Sequence, residues 1–122
     1  MKLLIVEDNE LMRRLIKSVV QDIAGTIDEC ANGKEAVAAF EYYQPDWVLM
    51  DIEMAEMDGL TATAKIIAAN PNACVVIVTQ HDSKYLREAA REAGAIAFIA
   101  KENLLDVRAL LASATQEDIT EH

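Results

Sequence analysis

Apolar residues fall in short unbroken runs along this chain. Leu3-Leu4-Ile5-Val6, Trp47-Val48-Leu49-Met50, Cys74-Val75-Val76-Ile77-Val78 and Ile96-Ala97-Phe98-Ile99-Ala100 are each four or five residues long. Runs of that length without alternation suit strands buried on both faces of a parallel sheet. Thr26-Ile27-Asp28-Glu29-Cys30-Ala31 instead alternates polar with apolar residues, as a strand at a sheet edge does.

Between the runs the apolar period becomes helical. Leu11, Leu15, Ile16, Val19, Val20 and Ile23 share one spacing behind a cap at Asp8 or Asn9, with Gly25 as the stop. Asn32 and Glu35 read as a capping box for a second helix, with Ala36, Val37 and Phe40 inward and Gln44-Pro45 at its end. Asp58-Gly59 opens a third helix, with Leu60, Ala64 and Ile67 on one face and Asn70-Pro71 as its close. Asp82 or Ser83 caps a fourth that runs through about Glu92, Ala-rich and weakly amphipathic, and Gly94 ends it. Leu104, Val107 and Leu111 mark a fifth, and the polar end from Gln116 is expected to fray. Strict alternation of five strands and five helices specifies an α/β fold, a parallel sheet covered on both faces through right-handed crossovers. The 122 residues are expected to form a single domain, with a core over about 2–113 and a polar tail over 116–122.

Composition changes this picture little, at 52% hydrophobic and 26% charged residues. Charge changes it more. A net charge of −10 argues against direct nucleic-acid binding, which needs basic contacts to phosphate. Met1-Lys2 followed by four apolar residues is no signal peptide, and no run approaches membrane-spanning length, so a cytoplasmic protein without a membrane partner is expected. Cys30 and Cys74 lack metal-ligand spacing and are expected to be buried free thiols.

The four apolar runs also stop in a related way, on Glu7-Asp8, Asp51, Thr79 and Lys101. Each has an ordinary explanation taken alone: a helix cap, a turn former, a strand-end hydroxyl, a solvated lysine. Together they occupy the carboxyl ends of strands, where an open α/β sheet binds its ligands. Three carboxylates on one rim repel each other unless a cation joins them. An all-oxygen donor set suits Mg2+. Thr79 and Lys101 then supply a hydrogen-bond donor and a point charge for an anion beside the metal. A carboxylate nucleophile, a divalent metal, a lysine and a threonine make a site for phosphoryl transfer to Asp51.

Ile5-Val6-Glu7-Asp8, Met50-Asp51-Ile52-Glu53-Met54, Met57-Asp58-Gly59-Leu60, Val78-Thr79 and Phe98-Ile99-Ala100-Lys101 carry a resemblance. From Lys2 to about Ser113 the chain resembles the receiver domains of two-component response regulators. The resemblance implies a flavodoxin-like, doubly wound five-stranded sheet in the order 2-1-3-4-5. It implies that Asp51 accepts a phosphoryl group from the phosphohistidine of a histidine kinase or phosphotransfer protein. Mg2+ would sit on Glu7, Asp8, Asp51 and the backbone carbonyl of Glu53, while Thr79 and Lys101 grip the phosphoryl oxygens. Thr79 and Phe98 match the family's switch pair. Such a domain signals and is not a turnover enzyme; it catalyses only its own phosphorylation and autodephosphorylation. A homodimer through the last helices, and a covalent output domain in a longer chain, are both open.

Three departures from the family pattern bear on the site. Glu102 follows Lys101 where a proline joined by a cis bond is common, and a cis bond before a non-proline costs about 2.5–4 kcal/mol. Ala55 replaces a common proline, which should leave the loop after Asp51 less rigid. Gln80 stands where a small residue is usual, which should tighten access to the phosphoryl group. Two other readings compete. A pseudo-receiver would keep the fold without phosphorylation, and the complete set of site residues argues against it. A hydrolase of the haloacid-dehalogenase kind wants a second Asp two residues after a nucleophile on the first strand; here that residue is Glu53, expected on the third strand.

Overall fold

The computed structural model describes the backbone of residues 1–120 and the side chains of residues 1–114. Its elements are β1 (Lys2–Val6), α1 (Glu10–Val20), β2 (Thr26–Cys30), α2 (Gly33–Tyr43), β3 (Trp47–Met50), α3 (Gly59–Ala69), β4 (Val75–Thr79), α4 (Lys84–Ala93), β5 (Ala97–Ala100) and α5 (Leu104–Thr120). All strand pairs are parallel, as the strand-helix alternation specifies, and the sheet order is β2-β1-β3-β4-β5, as the family resemblance implies.

Successive side chains of a strand face opposite ways, so an unbroken apolar run feeds two cores at once. Leu4, Val6, Val48, Met50, Val75 and Ile77 pack against Phe40 of α2, Ile66 of α3 and Ala90 of α4. Leu3, Ile5, Leu49, Val76 and Val78 face Ile16 and Val20 of α1 and Val107 and Leu111 of α5. β2 needs no second cover because it is an edge strand, which is what its alternation encodes.

Side-chain caps start four of the helices, and two of them resolve alternatives that the sequence leaves open. Asn9, not Asp8, caps α1 by accepting from the Met12 N–H, and Ser83, not Asp82, caps α4 by accepting from the Leu86 N–H. Asp8 and Asp82 are thereby released for other partners. Asn32 accepts from the Glu35 N–H, but Glu35 reaches back to the Ala31 N–H, one residue earlier than a reciprocal box would. Asp58 accepts from both the backbone and the hydroxyl of Thr61.

Several helix faces differ from the expected ones. Leu11 and Leu15 are 74% and 48% exposed, because α1 turns Ile16 and Val20 inward and these two leucines fall to one side. α1 stops at Val20, and Gly25 instead donates to the Met1 carbonyl where the chain enters β2. α3 buries Gly59, Ala62, Thr63 and Ile66, leaving Ala64 outside; Thr63 is tolerated inside because its hydroxyl donates to the Gly59 carbonyl. Ile96 lies outside β5 and is exposed. The polar end expected to fray from Gln116 continues α5 to Thr120, and residues 121–122 lie outside the described residues. Among the described residues no peptide bond is cis, so Lys101–Glu102 is trans and leads into a short 3-10 turn, Lys101–Asn103. Cys30 and Cys74 are free, and burial pushes the Cys30 thiol up to about 11. Among the described residues no helix is long and apolar enough to cross a membrane.

α4 buries only Ala90 completely, whereas α3 buries four residues. Local opening follows the lack of buried apolar contact. Native-state amide exchange should therefore proceed through α4 before α3, and equal protection of Leu86–Arg91 and Ala62–Ile66 would contradict this packing.

Candidate functional site

Parallel pairing of Val6 with Met50 brings the next residues, Glu7 and Asp51, level at the carboxyl ends of the two central strands. The ladder extends one step beyond each strand: the Glu7 N–H donates to the Cys30 carbonyl and the Asp51 N–H to the Val6 carbonyl. Glu7 and Asp51 are buried, at 1% and 5% exposure, and Asp8 is exposed beside them. One carboxylate oxygen from each of Glu7, Asp8 and Asp51 lies within 4.8 Å of the other two. Lys101, following β5, sends its ammonium between the buried pair, 2.6 Å from Glu7 Oε1 and 3.3 Å from Asp51 Oδ2. Of the expected site residues, Glu7, Asp8, Asp51, Glu53 and Lys101 line one cleft of about 420 Å3, and Thr79, expected on the same rim, does not.

The electrostatics follow from burial. Desolvation pushes the Glu7 carboxyl from an ordinary 4.5 up to about 7; Lys101 and the Asn9 N–H oppose the rise, and the Asp51 charge adds to it. Burial also raises Asp51, against the pull of Lys101. Desolvation would lower the Lys101 ammonium, but the two carboxylates outweigh it and the group is raised overall. One ammonium among three ionised carboxylates leaves two negative charges uncompensated.

The bonds made by the acids determine which oxygens remain. Asp51 Oδ1 accepts from the Ile52 N–H at 2.9 Å, and Glu7 Oε2 accepts from the Asn9 N–H at 3.2 Å. Glu7 Oε1 is buried, and the Lys101 ammonium at 2.6 Å is its close partner. An all-oxygen cluster of three carboxylates with a single lysine to balance them fits a hard divalent cation such as Mg2+.

The loop after Asp51 is fixed by backbone contact. The Gly59 N–H donates to the Ile52 carbonyl, and a Cβ on Gly59 would stand 1.8 Å from the Asp51 carbonyl oxygen. From α2 the Gly33 N–H donates to the Met57 carbonyl, and a Cβ there would stand 2.3 Å from that oxygen. Between these holds, Glu56 and Met57 take positive φ of 60° and 113°.

Two expected residues lie back from the cleft. Thr79 ends β4 fully buried, its hydroxyl accepting from the His81 N–H at 3.3 Å. Phe98 lies half-buried on β5, with the Arg87 guanidinium carbon 4.7 Å from its ring centroid. Arg87 also forks onto Asp82 at 2.6 and 2.9 Å.

The structure adds neighbours that the sequence did not suggest. Glu53 Oε1 meets His81 Nε2 at 3.0 Å across the mouth of the cleft, and Leu11, Met12 and Leu15 form its apolar wall. Arg13 donates to the Glu7 carbonyl at 2.7 Å. Its place on the second turn of α1, behind a strand-end acid, was the one available signal, and it reads equally as solvated surface.

The family model of the response regulator receiver domain matches residues 3–114. The chain belongs to that family, in which phosphorylation on an aspartate is the signalling event. Chemotaxis protein CheY of Listeria monocytogenes is 41% identical over 102 residues, covering 83% of this chain and 86% of that protein. The CheY-like receiver domain of Methanospirillum hungatei superposes with a TM-score of 0.86 at 24% identity, covering 99% of this chain and 98% of that one. A chain of the CheX–CheY–BeF3–Mg2+ complex from Borrelia burgdorferi gives 0.79 at 27% identity, covering 87% and 84%. The pseudo-receiver reading is not supported.

A carboxyl raised on folding stabilises the native state below its unfolded value and loses that contribution as pH rises through its folded value. In EDTA the protein should therefore lose stability between about pH 4.5 and about 7 on account of Glu7. Asp51 acts in the same direction. The loss should be on the order of 1–3 kcal/mol. Urea melts across that range test it: Glu7→Gln should flatten the decline, and a wild type that gains stability toward pH 7 in EDTA would contradict the assignment.

Proposed function

We propose that Asp51 is the phosphoacceptor and that Glu7, Asp8, Asp51 and the backbone carbonyl of Glu53 hold Mg2+. The observation that carries this reading is a buried aspartate flanked by two more acids at the ends of adjacent strands, with the half-buried Lys101 reaching them from the end of β5. Bound Mg2+ supplies charge neutralisation for the incoming phosphoryl oxygens. The chain's own residues do the rest. With Oδ1 held by the Ile52 N–H, Asp51 offers Oδ2 as the attacking oxygen. Lys101 stands 3.3 Å from Oδ2, placed to grip a phosphoryl oxygen. Thr79 uses its lone pair for the His81 N–H, so its own proton is free for a second phosphoryl oxygen once the loop lets the hydroxyl approach.

The donor is the phosphohistidine of a histidine kinase or phosphotransfer protein, and the compartment is the cytoplasm. Withdrawal of Thr79 toward the phosphate couples to Phe98, on the neighbouring strand where Ile77 pairs with Phe98. The ring then leaves Arg87, and the α4–β5–α5 side is read by a partner. Tyr85, Ile96 and Leu105 are exposed on that side and would serve either a homodimer through the last helices or an output domain. Autodephosphorylation returns the switch to rest, and the Glu53–His81 contact with Gln80 beside it narrows the path for water. Residues 1–122 act as one receiver unit.

Acetyl phosphate with Mg2+ should add one phosphoryl group to the intact mass of the wild type and none to Asp51→Asn. Unchanged uptake by the variant would move the acceptor elsewhere.

Stability gives an independent check. Asp51→Asn relieves crowded negative charge and should raise stability in EDTA by on the order of 1 kcal/mol. Mg2+ binds only the folded site and stabilises it by mass action, more for wild type than for the variant that lacks a charged ligand. Melts of both proteins with EDTA and with Mg2+ test this, and an equal gain from Mg2+ would show that Asp51 is not a ligand.

A further inference from the structure

Glu7 is the most constrained of the acids. Its N–H is bonded to the Cys30 carbonyl of β2, and its Oε2 accepts from the Asn9 N–H. Its carbonyl accepts from Arg13 Nη1 at 2.7 Å. The same guanidinium reaches Glu29 on β2 through Nε at 3.2 Å, and Lys17 shares that carboxylate at 3.3 Å. Arg13 thus spans α1, the end of β1 and β2, with its side chain only 21% exposed. It touches none of the oxygens that face the cleft. What it fixes is the peptide plane immediately after Glu7, which sets the direction in which the Glu7 side chain leaves the backbone and the start of the turn that carries Asp8.

We infer that Arg13 is a positioning residue for the metal site: its bond to the Glu7 carbonyl holds the Glu7 carboxylate toward the cleft and thereby raises the affinity for Mg2+. This rests on the reading of the cleft as an Mg2+ site. A group that orients a metal ligand from behind changes affinity without contacting the ion.

Charge and positioning predict opposite signs here. Arg13 is a cation near a cation site, so removing it should strengthen Mg2+ binding if only its field matters. If it positions Glu7, removing it should weaken binding. The Glu29 ion pair separates a third role, that of a plain clamp between α1 and β2. Glu29→Gln loosens that clamp but leaves the Arg13–Glu7 bond.

The test is calorimetric titration of the full chain with Mg2+, for wild type, Arg13→Gln, Arg13→Lys and Glu29→Gln. Arg13→Gln should bind about tenfold more weakly. Arg13→Lys keeps one donor and should recover part of the loss. Glu29→Gln should stay within about twofold of wild type, as expected for a partly exposed ion pair. Loading by acetyl phosphate as a function of Mg2+ concentration gives the second readout. The half-saturating Mg2+ should rise in Arg13→Gln while the rate at saturation stays near wild type. Binding by Arg13→Gln that equals or exceeds wild type overturns the inference, as does an equal loss in Glu29→Gln. A wild type that binds no Mg2+ overturns the underlying metal reading instead, so the two failures are distinguishable.

Discussion

Two carboxylates at the ends of neighbouring strands and one ammonium reaching them from the sheet edge, largely withdrawn from water, are the constraint on which this molecule turns. Each ion costs several kcal/mol to desolvate, and one lysine cannot balance three acids. The protein therefore holds these charges in an unfavourable arrangement, and the same desolvation pushes the Glu7 carboxyl up to about 7. Elsewhere the fold supplies ordinary stability: apolar strands between two helical layers, and caps that satisfy the helix starts. The cluster depends on that surplus, because nothing within it favours folding strongly without metal.

Strand order is what makes the arrangement possible. β1 lies between β2 and β3, so its end is tied on both sides and Glu7 has no freedom to turn outward. β5 is an edge strand, yet Lys101 follows it into a 3-10 turn that directs a long side chain back across β4 to the centre. Arg87 performs a related task away from the charges, linking Asp82 in the loop after Thr79 to the ring of Phe98. The loop that follows Thr79 is thus joined to Phe98 through side chains as well as through the sheet.

The sheet and the acidic cleft were legible in the sequence because both are encoded by where apolar runs begin and stop. Leu3–Val6 and Trp47–Met50 form central strands with a carboxylate directly after each run at the rim, although the equally unbroken run over 96–100 forms the edge strand β5. Helix faces were less legible. Leu11 and Leu15 fit the same period as Ile16 and Val20, and only the angle at which α1 meets the sheet decides which pair is buried. Caps were ambiguous where two polar residues stood together, as at Asp8-Asn9 and Asp82-Ser83, since either can accept the bond until the backbone is known. Arg13 and the Glu53–His81 contact were illegible for a different reason: each joins residues from separate segments through long side chains, for which spacing gives no rule.

Surface loops usually absorb insertions and deletions readily. The segment from Asp51 to Gly59 is different, being pinned at Ile52–Gly59 and at Gly33–Met57 by contacts between main-chain atoms, with left-handed residues bridging the interval. A single added or lost residue would break one hold or the other and carry the carboxylate with it. A change of length should therefore be tolerated better in a connection on the opposite rim, such as the turn at Pro71-Asn72, while the span from Asp51 to Gly59 behaves as a fixed ruler.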